Sequence, residues 1–195
     1  MDPKWIRVST ILNLMPTLED GKWGYPMQRI DSDILQRKAD LGSKVHGMIA
    51  DDLKKEFVIS DGKAEGYFES YKKWYDIVQP QPAHIEKRFY NETMLLTGCI
   101  DLGCRFKGKE DRDEVFLVDW KCTISPDHVK WPIQAAFYHL LMELNRVLVE
   151  PVCYFVQLDP NGNEPRVHNY FITPELKKIA ASLYNTYIYL TKNKR

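Results

Sequence analysis

Asp119 and Lys121 flank Trp120 at the end of the apolar run Val115-Phe116-Leu117-Val118. That run has strand character, and in a strand residues i and i+2 share a face. The carboxylate and the ammonium therefore stand side by side while the indole points the other way. A half-buried strand has little reason to carry two charges on one face unless they bind something. Asp101 is the polar exception in a second apolar strand, Cys99-Ile100-Asp101-Leu102-Gly103, where alternation sets it opposite Ile100 and Leu102. On adjacent strands of a hairpin, both carboxylates could meet one hard cation such as Mg²⁺. Phosphodiester hydrolysis needs an activated water and charge relief on the phosphate, and such a cation supplies both. Lys121 could orient or help deprotonate the water and hold developing negative charge.

The elements that must position these residues follow from periodicity and turn residues. Ser9 or Thr10 is expected to cap a short helix to Leu14, stopped by Pro16. The Gly- and Pro-rich segment 15–28 reads as a loop. Ile34, Leu41, Val45, Met48, Ile49 and Leu53 recur at helical spacing and predict a helix over about 32–56. A second helix, about 63–78, carries the aromatic residues Tyr67, Phe68, Tyr71, Trp74 and Tyr75. Strands are expected at about 83–90, 94–106 and 115–121, the last two joined by the charged turn Lys107 to Asp113. A helix of about 132–148 opens on Pro132 in its first turn. Strands at 152–158 and 167–172 and a final helix from Thr173-Pro174-Glu175 to about Leu190 complete the chain. Mixed order of this kind implies an α/β fold, a central mixed sheet with helices on its faces, in a single domain over 1–195.

Composition narrows the class. The 195 residues are 44% hydrophobic and 28% charged, as in a globular protein with a sizeable core. Lys and Arg number 27, as do Asp and Glu, so the formal net charge is zero. That balance argues against nonspecific nucleic-acid binding through overall charge and leaves room for a local basic groove. No apolar run reaches the length of a membrane span, and no signal-peptide pattern opens the chain, so a cytoplasmic protein without a membrane partner is expected. Cys99, Cys104, Cys122 and Cys153 form no C-x-x-C pair and are expected to be reduced thiols. Asn91-Glu92-Thr93 matches a glycosylation sequon, which has no use without a secretory route.

Six segments in order resemble the PD-(D/E)XK nuclease superfamily, and within it the RecB-like exonuclease branch: Arg7 to Leu12, Leu41 to His46, Ile85-Glu86-Lys87, Gly98-Cys99-Ile100-Asp101, Asp119-Trp120-Lys121, and Gln134 with Tyr138. The resemblance implies a restriction-endonuclease-like core. It implies Mg²⁺ or Mn²⁺ held by His46, Asp101, Asp119 and Trp120, with Glu86 as a supporting acid. Asp101, Asp119, Lys121, Gln134, Tyr138 and Glu86 would then serve catalysis. Gln134 and Tyr138, at i and i+4, share a helix face, where they could contact substrate or steady Lys121. Ile100 replaces the proline of the superfamily's name, and Cys122 stands where Thr or Ser is common. The cysteines are not placed as in the members that bind an iron–sulfur cluster, so no cluster is expected. There is no G-x-x-x-x-G-K-[ST] loop, hence no ATPase motor in this sequence.

The implied function is a DNA exonuclease acting on ends, in recombination, repair or the processing of phage and mobile-element DNA. Homo-oligomers, or a helicase or recombinase partner, are compatible with it. The alternative is a catalytically silent protein of nuclease fold that binds DNA or a partner; the intact Asp101, Asp119 and Lys121 argue against it. Lys38, Lys44 and Lys130 could meet phosphates, though each also reads as solvated surface, and the aromatic residues from Tyr67 to Tyr75 could stack bases or form core. His84, His128, His139 and His168 are taken as structural.

Overall fold

A computed structural model of the chain describes residues 5–15, 17–19, 22–24, 32–59, 61–108 and 113–192. The first elements among the described residues are a short strand β1 (Ile6–Arg7) and a one-turn helix α1 (Val8–Leu12). Arg7 precedes the first turn in an extended conformation, and no side chain caps it, so Ser9 and Thr10 lie inside the helix and do not start it. The expected loop at 15–28 is corrected in part. Two short antiparallel strands, β2 (Thr17–Glu19) and β3 (Lys22–Gly24), form there, and the rest of that segment apart from Met15 lies outside the described residues.

Two long helices follow, α2 (Ser32–Leu53) and α3 (Glu65–Val78). Gln79 ends α3 in a left-handed conformation, φ 47°, and its N–H bonds the Tyr75 carbonyl. The strands β4 (Gln81–Asn91), β5 (Leu96–Arg105) and β6 (Val115–Lys121) come next. Helix α4 (Lys130–Leu144) is held at its start by Asp127 Oδ1, which accepts hydrogen bonds from the Val129 and Lys130 amides. Strands β7 (Val149–Gln157) and β8 (Arg166–Phe171) and helix α5 (Pro174–Lys192) close the fold.

Six of these strands make one mixed sheet. The order β1-β5-β6-β7-β8 runs across it, with β4 on the other edge of β5. Pairs β1/β5 and β6/β7 are parallel; β4/β5, β5/β6 and β7/β8 are antiparallel. Helices α1, α4 and α5 contribute to one core cluster, around Phe137, Leu141 and Phe155, and α2 and α3 to the other, around Ile49, Tyr71 and Trp120. Strand β6 is buried on both faces, which is why its sequence reads as an unbroken apolar run. Val115 and Leu117 enter the α4 cluster, whereas Val118 and Trp120 enter the α2 cluster.

Strand β5 departs from the expected alternation. Ile100 belongs to the α4 cluster and Leu102 to the α2 cluster, so they do not share a face opposite Asp101. The cause lies in the neighbouring strand. The β4/β5 register shifts between Pro82 and His84, and Glu86 adopts φ 45° in mid-strand. Pairings Ile85↔Leu102 and Lys87↔Ile100 set Glu86 opposite Asp101. A left-handed glutamate costs on the order of 1–3 kcal/mol and persists where the surroundings over-determine it. Cysteines 99, 104, 122 and 153 are free thiols, and no helix among the described residues is long and apolar enough to cross a membrane.

Candidate metal centre

The site grows from a gap in the sheet. Ladder pairing between β5 and β6 runs Cys104↔Phe116, Gly103↔Leu117, Leu102↔Val118 and stops. The next pair in that register would be Asp101 and Asp119. Beyond it, β1 takes the same edge of β5 at Leu96 and Thr97. Asp101 substitutes for the missing rung: its Oδ2 accepts the Trp120 amide at 2.8 Å. Both carboxylates thus sit where two strands part, Asp101 8% and Asp119 3% exposed.

Each side of the sheet sends residues to this opening. From α2, His46 Nδ1 lies 3.4 Å from Asp101 Oδ1 and 3.6 Å from Glu86 Oε1. Ligand atoms of His46, Glu86 and Asp101 lie within 4.8 Å of one another. From β6, Lys121 Nζ stands 2.5 Å from Asp119 Oδ2 and 5.2 Å from the Phe155 ring. From α4, the Gln134 amide spans the ion pair. Its Nε2 donates to Asp119 Oδ1 at 2.8 Å and to the Tyr138 hydroxyl at 3.1 Å, and its Oε1 accepts from Lys121 at 3.2 Å. Only this orientation gives the carboxylate a donor and the ammonium an acceptor. Of the two expected parts for Gln134 and Tyr138, steadying Lys121 is the one visible in these contacts.

Asp119 Oδ2 faces the Lys121 ammonium, yet makes no hydrogen bond of good geometry. The clustered ligand atoms of His46, Glu86 and Asp101 suit a divalent cation, whereas Asp119 lies outside that cluster with its Oδ2 against the ammonium. Two carboxylates and one imidazole, from Glu86, Asp101 and His46, form a group that could hold a metal ion. Trp120 takes a different place from the ionisable residues. Its ring is buried against Tyr71 and Trp74, with centroids 5.4 and 5.0 Å away, and its N–H is committed to Asp101. Its backbone carbonyl is therefore what it has left to offer a metal.

Electrostatics follow from burial and proximity. Burial disfavours the His46 imidazolium, but Asp101 and then Glu86 outweigh it and hold its pKa well above 6.5. Burial also works against ionised Asp101, yet His46, Lys121 and the Trp120 amide keep its pKa below the usual carboxylate value. Asp119 goes the other way: burial, reinforced by the Asp101 charge and opposed by Lys121, pushes it up to about 6. Lys121 resists burial because Asp119 and Asp101 face it, so its pKa is raised and it stays protonated.

Several contacts were not legible in the sequence. Cys99 Sγ lies 3.6 Å from Glu86 Oε2, and burial raises this thiol to about 11. The rings of Tyr71 and Trp74 are core, whereas Tyr67 is only half-buried. Lys44 is engaged by Asp61 at 2.6 Å. Of the histidines taken as structural, His128 meets the Tyr170 hydroxyl at 2.6 Å and His168 the Gln157 side chain at 3.1 Å. Buried His139 lies 3.3 Å from Glu143, and His84 packs edge-on to Phe89. No protein-family model matches this sequence, and no curated protein matches it either.

Proposed function

We propose that this chain is a metal-dependent nuclease that hydrolyses DNA phosphodiester bonds, and that it acts as an exonuclease from DNA ends. The observation that carries the reading is the opening between β5 and β6. There Asp101, Glu86 and His46 converge from one side, and the Asp119–Lys121–Gln134 chain from the other. A divalent cation held by His46, Asp101 and Asp119, with Glu86 beside it, would polarise a phosphate and lower the pKa of a water there. Imidazole in the set favours Mn²⁺ over Mg²⁺.

The chain's own residues divide the remaining work. Lys121 keeps its proton, so its part is to hold charge that builds on the phosphate oxygens. Gln134 fixes the ammonium at one height above the sheet and prevents Asp119 from rotating away. Tyr138 backs the amide, and its ring rests on Gly98, where a Cβ would come within 2.9 Å of it. The Glu86 conformation turns its carboxylate towards His46 in place of the regular strand direction.

The test is digestion of end-labelled linear DNA and closed circular DNA with Mg²⁺, Mn²⁺ or EDTA. Loss of linear DNA with either metal, sparing of the circles, and no cutting in EDTA are expected. Equal cleavage by metal-stripped protein in EDTA would refute the metal mechanism. Cutting of closed circles at the same rate would refute action from ends. No cutting under any condition would favour the silent-fold alternative.

A further inference from the structure

A groove of about 520 Å³ leads away from the metal centre between α2 and the segment after β6. His46 and Lys121 stand at its inner end; Lys38, Gly42, Tyr67 and Ile124 are among the residues that line the rest. Resting on the nuclease reading above, we propose that this groove seats an unpaired strand of the DNA, with Lys38 on a phosphate and Tyr67 and Ile124 against base faces.

Four observations carry this. Lys38, Gly42 and His46 follow one another at i, i+4 and i+8, so they form one line along α2. The line is about 12 Å long at the helical rise, a span of a few nucleotides at about 3.4 Å or more each. Gly42 leaves bare helix backbone in the middle, since a Cβ there would meet nothing within 4 Å. Lys38 is exposed and has no ion-pair partner among the described residues, whereas Lys44 one face away is tied to Asp61.

The outer lip is also built. Ile124 is 91% exposed, an unusual state for an isoleucine, yet its backbone is held. The buried Gln157 amide donates to the Thr123 carbonyl at 2.7 Å and the Ile124 carbonyl at 2.8 Å, while its Oε1 faces His168 Nε2 at 3.1 Å. A fixed, exposed apolar side chain opposite a half-buried tyrosine suits the flat faces of unstacked bases. The volume matches a pocket for a small ligand, which admits a few unpaired nucleotides and not a duplex. The positive lysine and the continuity with the metal centre select a polyanion over a neutral peptide.

The test measures binding apart from cleavage. A fluorescent oligothymidylate and a hairpin duplex closed at both ends are titrated in EDTA over a salt series. The proteins are wild type, Lys38→Ala, Tyr67→Leu, Ile124→Ser, and Lys177→Ala on the opposite face of the sheet. Circular dichroism checks that each is folded, and wild type is assayed for cutting with Mn²⁺. Lys38→Ala should weaken oligothymidylate binding and flatten its log–log salt slope by about 0.7, the loss of one phosphate contact on a single strand. Tyr67→Leu and Ile124→Ser should each weaken it by roughly five-fold or more with the slope unchanged. Lys177→Ala should change neither, and closed-duplex affinity should move little in any variant. If the variants bind as wild type does while wild type cuts DNA, the groove assignment falls and the nuclease reading stands. If they lose closed-duplex affinity equally, the occupant is a duplex and the unpaired-strand proposal falls. If wild type neither binds nor cuts, both readings fall.

Discussion

Lys121 and His46 sit at the same opening and should fail in different ways when altered. Lys121 reaches no donor atom of His46 or Glu86; its partners are Asp119 and the Gln134 amide. Lys121→Ala should therefore lower turnover by roughly two to four orders of magnitude, the range for one electrostatic or acid–base group. DNA affinity should change little. Asp119→Ala should instead weaken the metal, and added Mn²⁺ should partly restore it but not the Lys121 variant. Near wild-type turnover in folded Lys121→Ala would remove the lysine from the mechanism. Asp101 and Glu86 hold the His46 pKa well above 6.5, so at pH below that pKa a metal must displace its proton. The neutral imidazole is the ligand form, so binding releases that proton. Mn²⁺ affinity should fall as pH is lowered through the range above 6.5, and the fall should flatten in His46→Ala. Calorimetry across pH checks this; equal pH slopes in the two proteins would return His46 to a structural part. The sequence made these residue types and their order legible. It did not show that Gln134 bridges both charges or that the Trp120 amide serves Asp101, because those contacts depend on where β5 and β6 stop pairing.

At the scale of elements, α4 positions half of the site through one close approach. Tyr138 and Leu141 lie on Gly98 of β5, where a Cβ would come within 2.9 and 3.0 Å of them. Gly98→Val should push α4 outwards, costing about 1–3 kcal/mol as overpacking does, and should carry Gln134 away from Lys121. A lowered unfolding midpoint and reduced turnover per folded molecule are expected; unchanged turnover would show that α4 is not seated by this contact. Gly47 is the contrast, in mid-helix with nothing within 4 Å of an added Cβ. Gly47→Ala should stabilise by about 0.5–1 kcal/mol. Periodicity located α2 closely, because its apolar residues face a core at regular spacing; β6 was read from its unbroken apolar run and α5 from Thr173-Pro174-Glu175 at its start. Periodicity misjudged β5, where a left-handed Glu86 on the neighbouring strand breaks the alternation, and a non-glycine residue gives no warning of positive φ. It also missed β2 and β3, since strands of three residues lack a period long enough to read.

Among the described residues one six-stranded sheet has a core on either face, and buried β6 contributes to both. The two cores should therefore be lost together. Trp74 and Trp120 report one face and Trp131 the other, so tryptophan fluorescence and far-ultraviolet dichroism should give one denaturation midpoint. Separate midpoints would mean that one face holds without the other. Zero net charge gave no hint of a groove with a lysine at its side, because a sum over the chain erases where charges lie.

The same seam bears on how such a chain is made safely. His46 leaves the ribosome long before Gln134, and nearly half the sequence separates them. A nascent chain that already displays α2, β4 and β5 has acids and an imidazole but neither the lysine nor the amide that steadies it. If the chain is the nuclease proposed above, cutting should appear only after α4 has docked, and a truncated chain ending before α4 should not cut.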